Sequence, residues 1–477
     1  MGDGSQIFLG PIVGGLSHES ANLWVRATGP CNVYGWLGSR PDLSDAEFVG
    51  ESDPPVKEDA FIGMVLVKGL KADTHYHYAL TLEGKKPDPA NGPYPSFITF
   101  PKPGATQPFK FVFGSCFVPF EETSGEIFNA INAQRLSEDL RFIMLLGDQI
   151  YADDWRHNSI NKVAITTAEY RQVYAYPWSR PFLQNLLKNL PAFMILDDHE
   201  VDNDWHWEDV HKRWAEIPFY EKFLRWLKRR PKDELFLTIH RVRDAMEAYW
   251  EHQGIHGPSP IDPLRLDPSG RFVIHESDGS LAYKFTFGAA SFFVMDTRTS
   301  RIKSRGYSQI MTERQWQALK IWLLEDQEKS PLKFLVSSSS ILFDMLGDFT
   351  RDRWSGFRRD RNRLLNFIAE HDLKNLYILT GDLHEGHAIE IALSTSERKP
   401  LTLWEFCASP FEQATNKLTW TNIRTQSSAV KAYRRHFSAS EYNYGVVSVD
   451  YPENGHPVVG FSLRGLWGNE IASVKSE

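Results

Sequence analysis

Short apolar runs, nearly free of polar positions, recur along this chain between longer segments of helical period. Residues 109–114, 141–147, 192–196, 291–295 and 376–381 are such runs. They are too short for buried helices and read as strands covered on both faces. Apolar positions spaced three and four apart predict helices over 125–138, 180–189, 312–328 and 361–371. Thr312-Glu-Arg-Gln315 has the spacing of a capping box at the start of the third. Two amphipathic helices rich in Trp and Phe are expected within 205–253, as an insertion over the sheet edge whose aromatics serve a core. Ahead of these elements the pattern differs. Runs such as 21–26 and 75–82 alternate with period two between Gly, Pro and Asp turns, which predicts an antiparallel β-sandwich. Prolines at 101, 103 and 108 mark a linker. The expected organisation is an all-β domain over 1–104 and an α/β domain over 105–477, with a helical insertion at about 205–255. Short strands return after residue 388, and no repeat or low-complexity segment is visible.

Composition narrows this only slightly. A chain of 477 residues, 42% apolar and 24% charged, has ample material for large cores. Its net charge of -8 argues against a stable nucleic-acid partner. Local basic runs, such as 228–230, read as solvated faces. Three widely spaced cysteines (Cys31, Cys116 and Cys407) form no disulfide framework. No run reaches the roughly 18–20 apolar residues of a membrane span. The N-terminus lacks a basic and apolar leader pattern. The expectation is a cytoplasmic protein, or a secreted or periplasmic one whose leader has been removed. Composition leaves the oligomeric state open.

The chemistry collects where predicted strands end. The run to Gly114 is followed by Ser115-Cys116, and the run to Gly147 by Asp148 and then Tyr151. Asp197-Asp198-His199-Glu200, Asp296-Thr297-Arg298 and Asp382-Leu383-His384 end three others. Open α/β sheets build their sites at the carboxyl ends of strands. Any one of these groups would serve as a helix cap or a surface hydrogen-bond partner. Five segments delivering carboxylate, imidazole, thiol and phenol groups to one edge point instead to a metal centre. A carboxylate such as Asp148 is able to bridge two metals.

These motifs resemble calcineurin-type metallophosphoesterases, and more closely the alkaline phosphatase D (PhoD-like) family. The resemblance rests on Gly114-Ser-Cys116, Gly147-Asp-Gln-Ile-Tyr-Ala-Asp153, Asp197-Asp-His-Glu-Val-Asp-Asn203, Asp296-Thr-Arg298 and Gly381-Asp-Leu-His384. The opening Gly10-Pro-Ile-Val-Gly-Gly15 and Asn22-Leu-Trp-Val-Arg-Ala27 is similar to that family's N-terminal sandwich. The likeness implies a two-sheet αββα sandwich behind an Ig/fibronectin-like domain. It also implies hydrolysis of small phosphate esters, monoesters or diesters, by a metal-bound hydroxide.

The chain departs from the wider superfamily where Asp-x-His, Asn-His-Glu and His-x-His become Gly114/Cys116, Asp198-His199-Glu200 and Asp382-Leu-His384. Ser-rich 337–340 stands where a Gly-His pair is usual. One metal is then expected on Cys116, Asp148, Tyr151 and His384, whose thiolate and phenolate suit Fe(3+). The other is expected on Asp148, Asp198 and Asp382, where hard oxygens suit Ca(2+), or Mg(2+) or Mn(2+). Asn203, Asp153 and Asp154 are candidates to extend that shell. His199 is the expected proton donor to the leaving group, and Arg298 the expected contact to phosphoryl oxygens, with an ion pair to Asp296 as its structural alternative. His387 reads as a surface histidine. Two other readings stay open: a strict phosphodiesterase acting on phospholipid or nucleotide heads, and a non-catalytic binding protein with a degenerate metal core.

Overall fold

The computed structural model describes the chain except residues 1–3, 54–59, 83, 121–123, 212–218, 229–236, 276–278, 305–306, 326–330, 346–351, 395–399, 417–421, 424, 426, 454–455 and 477. Two sheets dominate. The first has nine strands, in the order Glu470–Lys475, Val458–Gly465, Asn443–Asp450, Phe109–Gly114, Leu140–Leu145, Ala192–Met194, Ile7–Gly14, Ser20–Ala27 and Ile62–Lys68. The second has seven: Tyr283–Phe287, Ala290–Val294, Leu332–Val336, Leu376–Thr380, Leu401–Cys407, Gly386–Leu393 and Val430–Ala439. Each has a parallel centre, Phe109–Gly114 through Ala192–Met194 in the first and Ala290–Val294 through Leu401–Cys407 in the second. The five strands read from the apolar runs all form, and all lie in these parallel centres. Parallel strands run in one direction, so their carboxyl ends share one edge.

Alternation along the strands fills two cores at once. Phe111, Phe142 and Phe193 of the first sheet face Phe285, Phe292 and Phe334 of the second. Phe193 stacks on Phe285 with ring centres 3.9 Å apart, and Phe292 on Phe334 at 4.8 Å. Val112, Ile143 and Leu145 point the other way, toward Glu126–Gln134, Thr167–Trp178, Pro181–Leu187 and Ile239–Tyr249. The second sheet's outer face is covered by Glu313–Leu324 and Arg358–Glu370. The architecture is therefore the expected αββα sandwich.

Three local readings need correction. The helix Thr167–Trp178, begun by a Thr166/Glu169 capping box, was not apparent from the pattern because its apolar face is built from Tyr and Trp. Thr312 does cap Glu313–Leu324, accepting from the Gln315 N–H at 3.1 Å. The Gln315 amide, however, turns to the backbone of Asp296, 2.9 Å from its N–H and 2.9 Å from its carbonyl. Residues 326–328 of that expected helix lie outside the described residues. In the insertion, Trp205, Trp207 and Tyr249 are buried as expected. The helix Phe219–Lys228 instead exposes Phe219, Phe223, Trp226 and Leu227.

The N-terminal strands form two sheets. Glu47–Glu51, Val33–Gly38, His75–Leu82 and Ser96–Ile98 make a four-stranded one, packed on Ile7–Gly14, Ser20–Ala27 and Ile62–Lys68. The latter three continue the nine-stranded sheet, joined through a parallel pairing of Gly14 with Ala192. Residues 101–108 contain no helix or strand. Across the join, Trp24 is fully buried, meets Trp178 edge-on at 5.8 Å and donates from its indole N–H to the Glu251 carbonyl at 3.0 Å. Trp24→Ala is expected to cost about 3–5 kcal/mol, as aromatic truncation in a closed core does. The urea midpoint of the whole protein should fall accordingly. Unfolding of the N-terminal strands alone, with the remainder at its native midpoint, would rule out a shared core.

Candidate metal centre

The turns that follow the parallel strands are backbone-strained, and the strain falls on the side chains that carry chemistry. Cys116, Asp148, Asp382 and His384 have φ of 64°, 54°, 69° and 53°. Non-glycine residues rarely adopt this left-handed region, and such strain gathers at functional sites. Gly147, at φ 95°, allows the turn before Asp148: a Cβ there would lie 2.3 Å from the Asp197 Cβ. A Cβ on Gly381 would lie 2.4 Å from Ser115 Oγ. The close approach of four turns, in two pairs, therefore depends on absent side chains.

Two groups of donors result. In the first, Cys116 Sγ and Tyr151 Oη each lie 3.3 Å from Asp148 Oδ2, and Tyr151 Oη lies 3.2 Å from His384 Nε2. Asp148, Asp197, Asp198 and Asp382 form the second, with one ligand oxygen of each within 4.8 Å of the others. Asp148 belongs to both, as a bridging carboxylate must. All these residues follow residue 108.

Burial gives the centre its electrostatics. It pushes Asp148 and Asp382 well above the usual carboxylate range, with further upward pressure on Asp148 from Cys116 and on Asp382 from Asp352. Asp197 rises to about 6 despite Arg298. Burial also lifts the Cys116 thiol to about 12 and lowers His384 to about 4, which keeps that imidazole neutral, as a metal ligand must be. His199 goes the other way. Burial opposes its charge, but Asp153 and Asp198 outweigh burial and raise it to about 10.

The donor chemistry fits metal ions. Asp197 Oδ2, Asp198 Oδ1 and Asp382 Oδ2 are buried without a hydrogen bond. Such atoms are costly unless a cation meets them. A thiol, a phenol, a neutral imidazole and a shared carboxylate supply one ligand set, and carboxylates alone supply the other.

Other expected residues take different places. His199 is 17% exposed, with Nδ1 2.7 Å from Asp153 Oδ1 and its ring 4.1 Å from that of Tyr151. Asn203 is exposed at the mouth of a cavity of about 430 Å3 that is also lined by Tyr151, Asp153, His199 and His384. Asp153 Oδ1 is bonded to His199 and Asp154 Oδ2 to His157 Nδ1 at 2.7 Å, and neither carboxylate lies within the clustered group.

Arg298 is not at the cleft. It is fully buried, with Nε 2.5 Å from Asp197 Oδ1, Nη1 bonded to Asp352 and Nη2 3.5 Å from Asp198 Oδ1. The expected phosphoryl contact gives way to a positioning role, because the guanidinium is enclosed by carboxylates. The alternative ion pair also fails, since Asp296 accepts from the Arg298 backbone N–H at 3.0 Å. His387 is buried, with Nε2 3.0 Å from Glu405 Oε1, so it is no surface histidine.

Sequence reasoning passed over three supporting residues. Glu200 is buried and accepts from the N–H groups of Asp148, Gln149 and Asp197 at 3.1, 2.9 and 3.1 Å, tying two turns together. Ser338 Oγ donates to Asp197 Oδ1 at 2.8 Å from the Ser-rich strand end. Asp352 binds Arg298 and Arg301. Adjacency to Asp198 was a readable signal for Asp197 and Glu200. Asp352 had none, lying between two arginines away from any strand end.

A two-sheet αββα sandwich with such a centre at its strand ends defines a metallophosphoesterase-type protein. Residues 111–456 match the model of the PhoD-like phosphatase family, and the chain belongs to that family. Residues 4–98 separately match a domain of unknown function (DUF7800). Alkaline phosphatase D of Bacillus subtilis (strain 168) is 27% identical over 325 residues, covering 61% of this chain and 48% of that protein. The chain thus spans about half the length of that curated relative. A solved structure of PhoD is similar in fold, with TM-score 0.74, 20% identity and coverage of 100% of this chain and 90% of that one. So is the purple acid phosphatase PPD1 from yellow lupin (Lupinus luteus) seeds, at TM-score 0.59, 11% identity, and 98% and 73% coverage.

If Arg298 positions carboxylates, Arg298→Met leaves Asp197 buried without its counter-charge and Asp352 with Arg301 alone. The expected loss is about 3–5 kcal/mol of stability, together with reduced metal content. Denaturation and elemental analysis of the purified variant would read both. A stable, metal-replete variant with only a raised KM would restore the phosphoryl-contact role.

Proposed function

We propose that this chain is a metal-dependent phosphoric-ester hydrolase acting on small phosphate esters. The observation that carries the reading is the meeting of Cys116, Asp148, Tyr151 and His384 beside the shared carboxylates, next to an open cavity. Cys116, Asp148, Tyr151 and His384 would hold Fe(3+), because thiolate and phenolate stabilise a trivalent ion. Asp148, Asp198 and Asp382 would hold Ca(2+), or Mg(2+) or Mn(2+), with Asn203 as a further oxygen donor. Bound cations supply Lewis acidity toward phosphoryl oxygens and acidify water. The division into an N-terminal domain over 1–104 and a catalytic domain over 105–477 belongs to the same proposal and has the catalytic part supply every ligand.

The chain's own contribution centres on His199. Asp153 holds Nδ1, which fixes the ring and leaves Nε2 to carry a proton. The carboxylates around it keep that proton on at neutral pH in the absence of cations. Cations in the neighbouring sites would bring its pKa down toward the range useful for general acid catalysis. Glu200 and Arg298 do not touch substrate in this reading; they hold the ligand turns.

Turnover of an aryl phosphate and an aryl phosphodiester by metal-replete protein tests the reading. Hydrolysis of the diester alone would make this a strict phosphodiesterase, and hydrolysis of neither a binding protein. The metals have their own check. The protein should be coloured, through phenolate and thiolate charge transfer to iron. A calcium-selective chelator should abolish activity, and added calcium should restore it. A colourless, fully active protein containing only zinc or magnesium would remove the iron assignment. Full activity without alkaline-earth or manganese ions would remove the second.

His199→Ala is expected to cost roughly 10²–10⁴-fold on alkyl esters, whose leaving group needs a proton, and clearly less on nitrophenyl esters. Metal content should be unchanged. Equal losses on both substrates would show that His199 positions or binds.

A further inference from the structure

The Cys116 sulfur is met by two serine hydroxyls that come from different sheets. Ser115 follows the strand Phe109–Gly114 of the first sheet, and Ser409 lies two residues beyond Leu401–Cys407 of the second. Ser115 Oγ is 3.2 Å from Cys116 Sγ, and Ser409 Oγ is 3.3 Å from it. All three residues are fully buried.

Each hydroxyl has its oxygen already engaged. Ser115 Oγ accepts from the Asp382 N–H at 3.0 Å, and Ser409 Oγ accepts from the His384 N–H at 3.0 Å. A hydroxyl carries one proton, and an N–H aimed at its oxygen turns that proton elsewhere. Among the described residues, the Cys116 sulfur is the other partner of each hydroxyl. Cys116 directs its own thiol proton to Asp148 Oδ2 at 3.3 Å. A cation that takes this proton's place leaves a sulfur anion, which only accepts. Two O–H groups then meet it, where a buried anion without donors is costly.

The hydroxyls are held where they are. The Ser115 carbonyl accepts from the Phe411 N–H at 2.8 Å. Asn443 donates from its side chain to the Ser409 carbonyl at 2.6 Å, and from its backbone to the Pro410 carbonyl at 2.8 Å. The Asn416 N–H reaches the His384 carbonyl at 2.9 Å. The segment 409–416 thus ties the Cys116 turn to the Asp382–His384 turn, and the Ser409 hydroxyl touches both. Bracing the turns would need only the two N–H bonds. It gives no reason for both hydroxyl protons to converge on one sulfur.

We propose that Ser115 and Ser409 set the donor strength of Cys116 toward the cation it holds, an inference that rests on Cys116 being a metal ligand. Hydrogen bonds to a ligating sulfur withdraw electron density from it. Less charge then passes to the cation, which keeps more of its Lewis acidity toward a phosphoryl oxygen. Both serines are positioning residues, enclosed by protein and acting through the sulfur.

Cobalt(2+), added to the full chain after its own metals have been chelated, gives a readout separate from turnover. A thiolate bound to cobalt absorbs in the near ultraviolet by sulfur-to-metal charge transfer, whichever metal the protein natively holds. The band should be present in the wild type and absent from Cys116→Ala. Ser115→Ala and Ser409→Ala should each move it to longer wavelength, because a sulfur without its donor gives up charge more easily. The double variant should move it further. Either single variant that keeps the wild-type melting temperature decides the question, since lost packing would weaken binding and leave the band in place. A wild-type band unmoved by such a variant, or moved to shorter wavelength, would overturn this proposal alone. A wild type without the band, or a band that survives Cys116→Ala, would remove Cys116 as a ligand and this proposal with it.

Discussion

Four aspartates brought within 4.8 Å of one another, three of them buried and Asp382 partly so, are the constraint to which the rest of the molecule answers. Like charges at this spacing and burial raise each other's pKa, as Asp148 and Asp382 show. Such a cluster does not assemble for stability. It persists because the sheets, turns and buried hydrogen bonds around it leave these side chains no other position. Metal ions are a natural counter-charge for buried oxygens that accept no hydrogen bond.

The supports take two physical forms. One is strain: left-handed backbone at Cys116, Asp148, Asp382 and His384, made possible by glycines whose absent Cβ atoms leave room for the next turn. The other is buried polar bonding. Glu200 ties the Asp148 and Asp197 turns together through their amide groups, while Arg298 sets Asp197 against Asp352. A rigid backbone network suits a centre whose ligands must be in place before the cation arrives.

Among the described residues the N-terminal strands hold none of the clustered donors, yet they lengthen the sheet that presents them. The aromatic layer extends across the join: Phe100 packs on Phe142 and Phe287, and Tyr78 donates to the Lys188 carbonyl at 2.8 Å. A change of composition marks a boundary in sequence, while hydrogen bonding continues across it in space.

Much of the fold was legible because the five parallel strands are short apolar runs with no competing helical reading. Their ends announced Cys116, Asp148, Tyr151, Asp198, Asp382 and His384, since a strand that stops at the sheet edge must deliver its next residues there. Less visible was anything decided by contacts between distant segments. Arg298 looked like a substrate contact, but burial among Asp197, Asp198 and Asp352 makes it a brace. His387 is enclosed beside Glu405, and the aromatics of Phe219–Lys228 point outward. Residue type and spacing determine which element forms and which groups reach its end. Whether a charged side chain meets solvent, a cation or another buried charge depends on the segments packed against it, and those come together only in the tertiary structure.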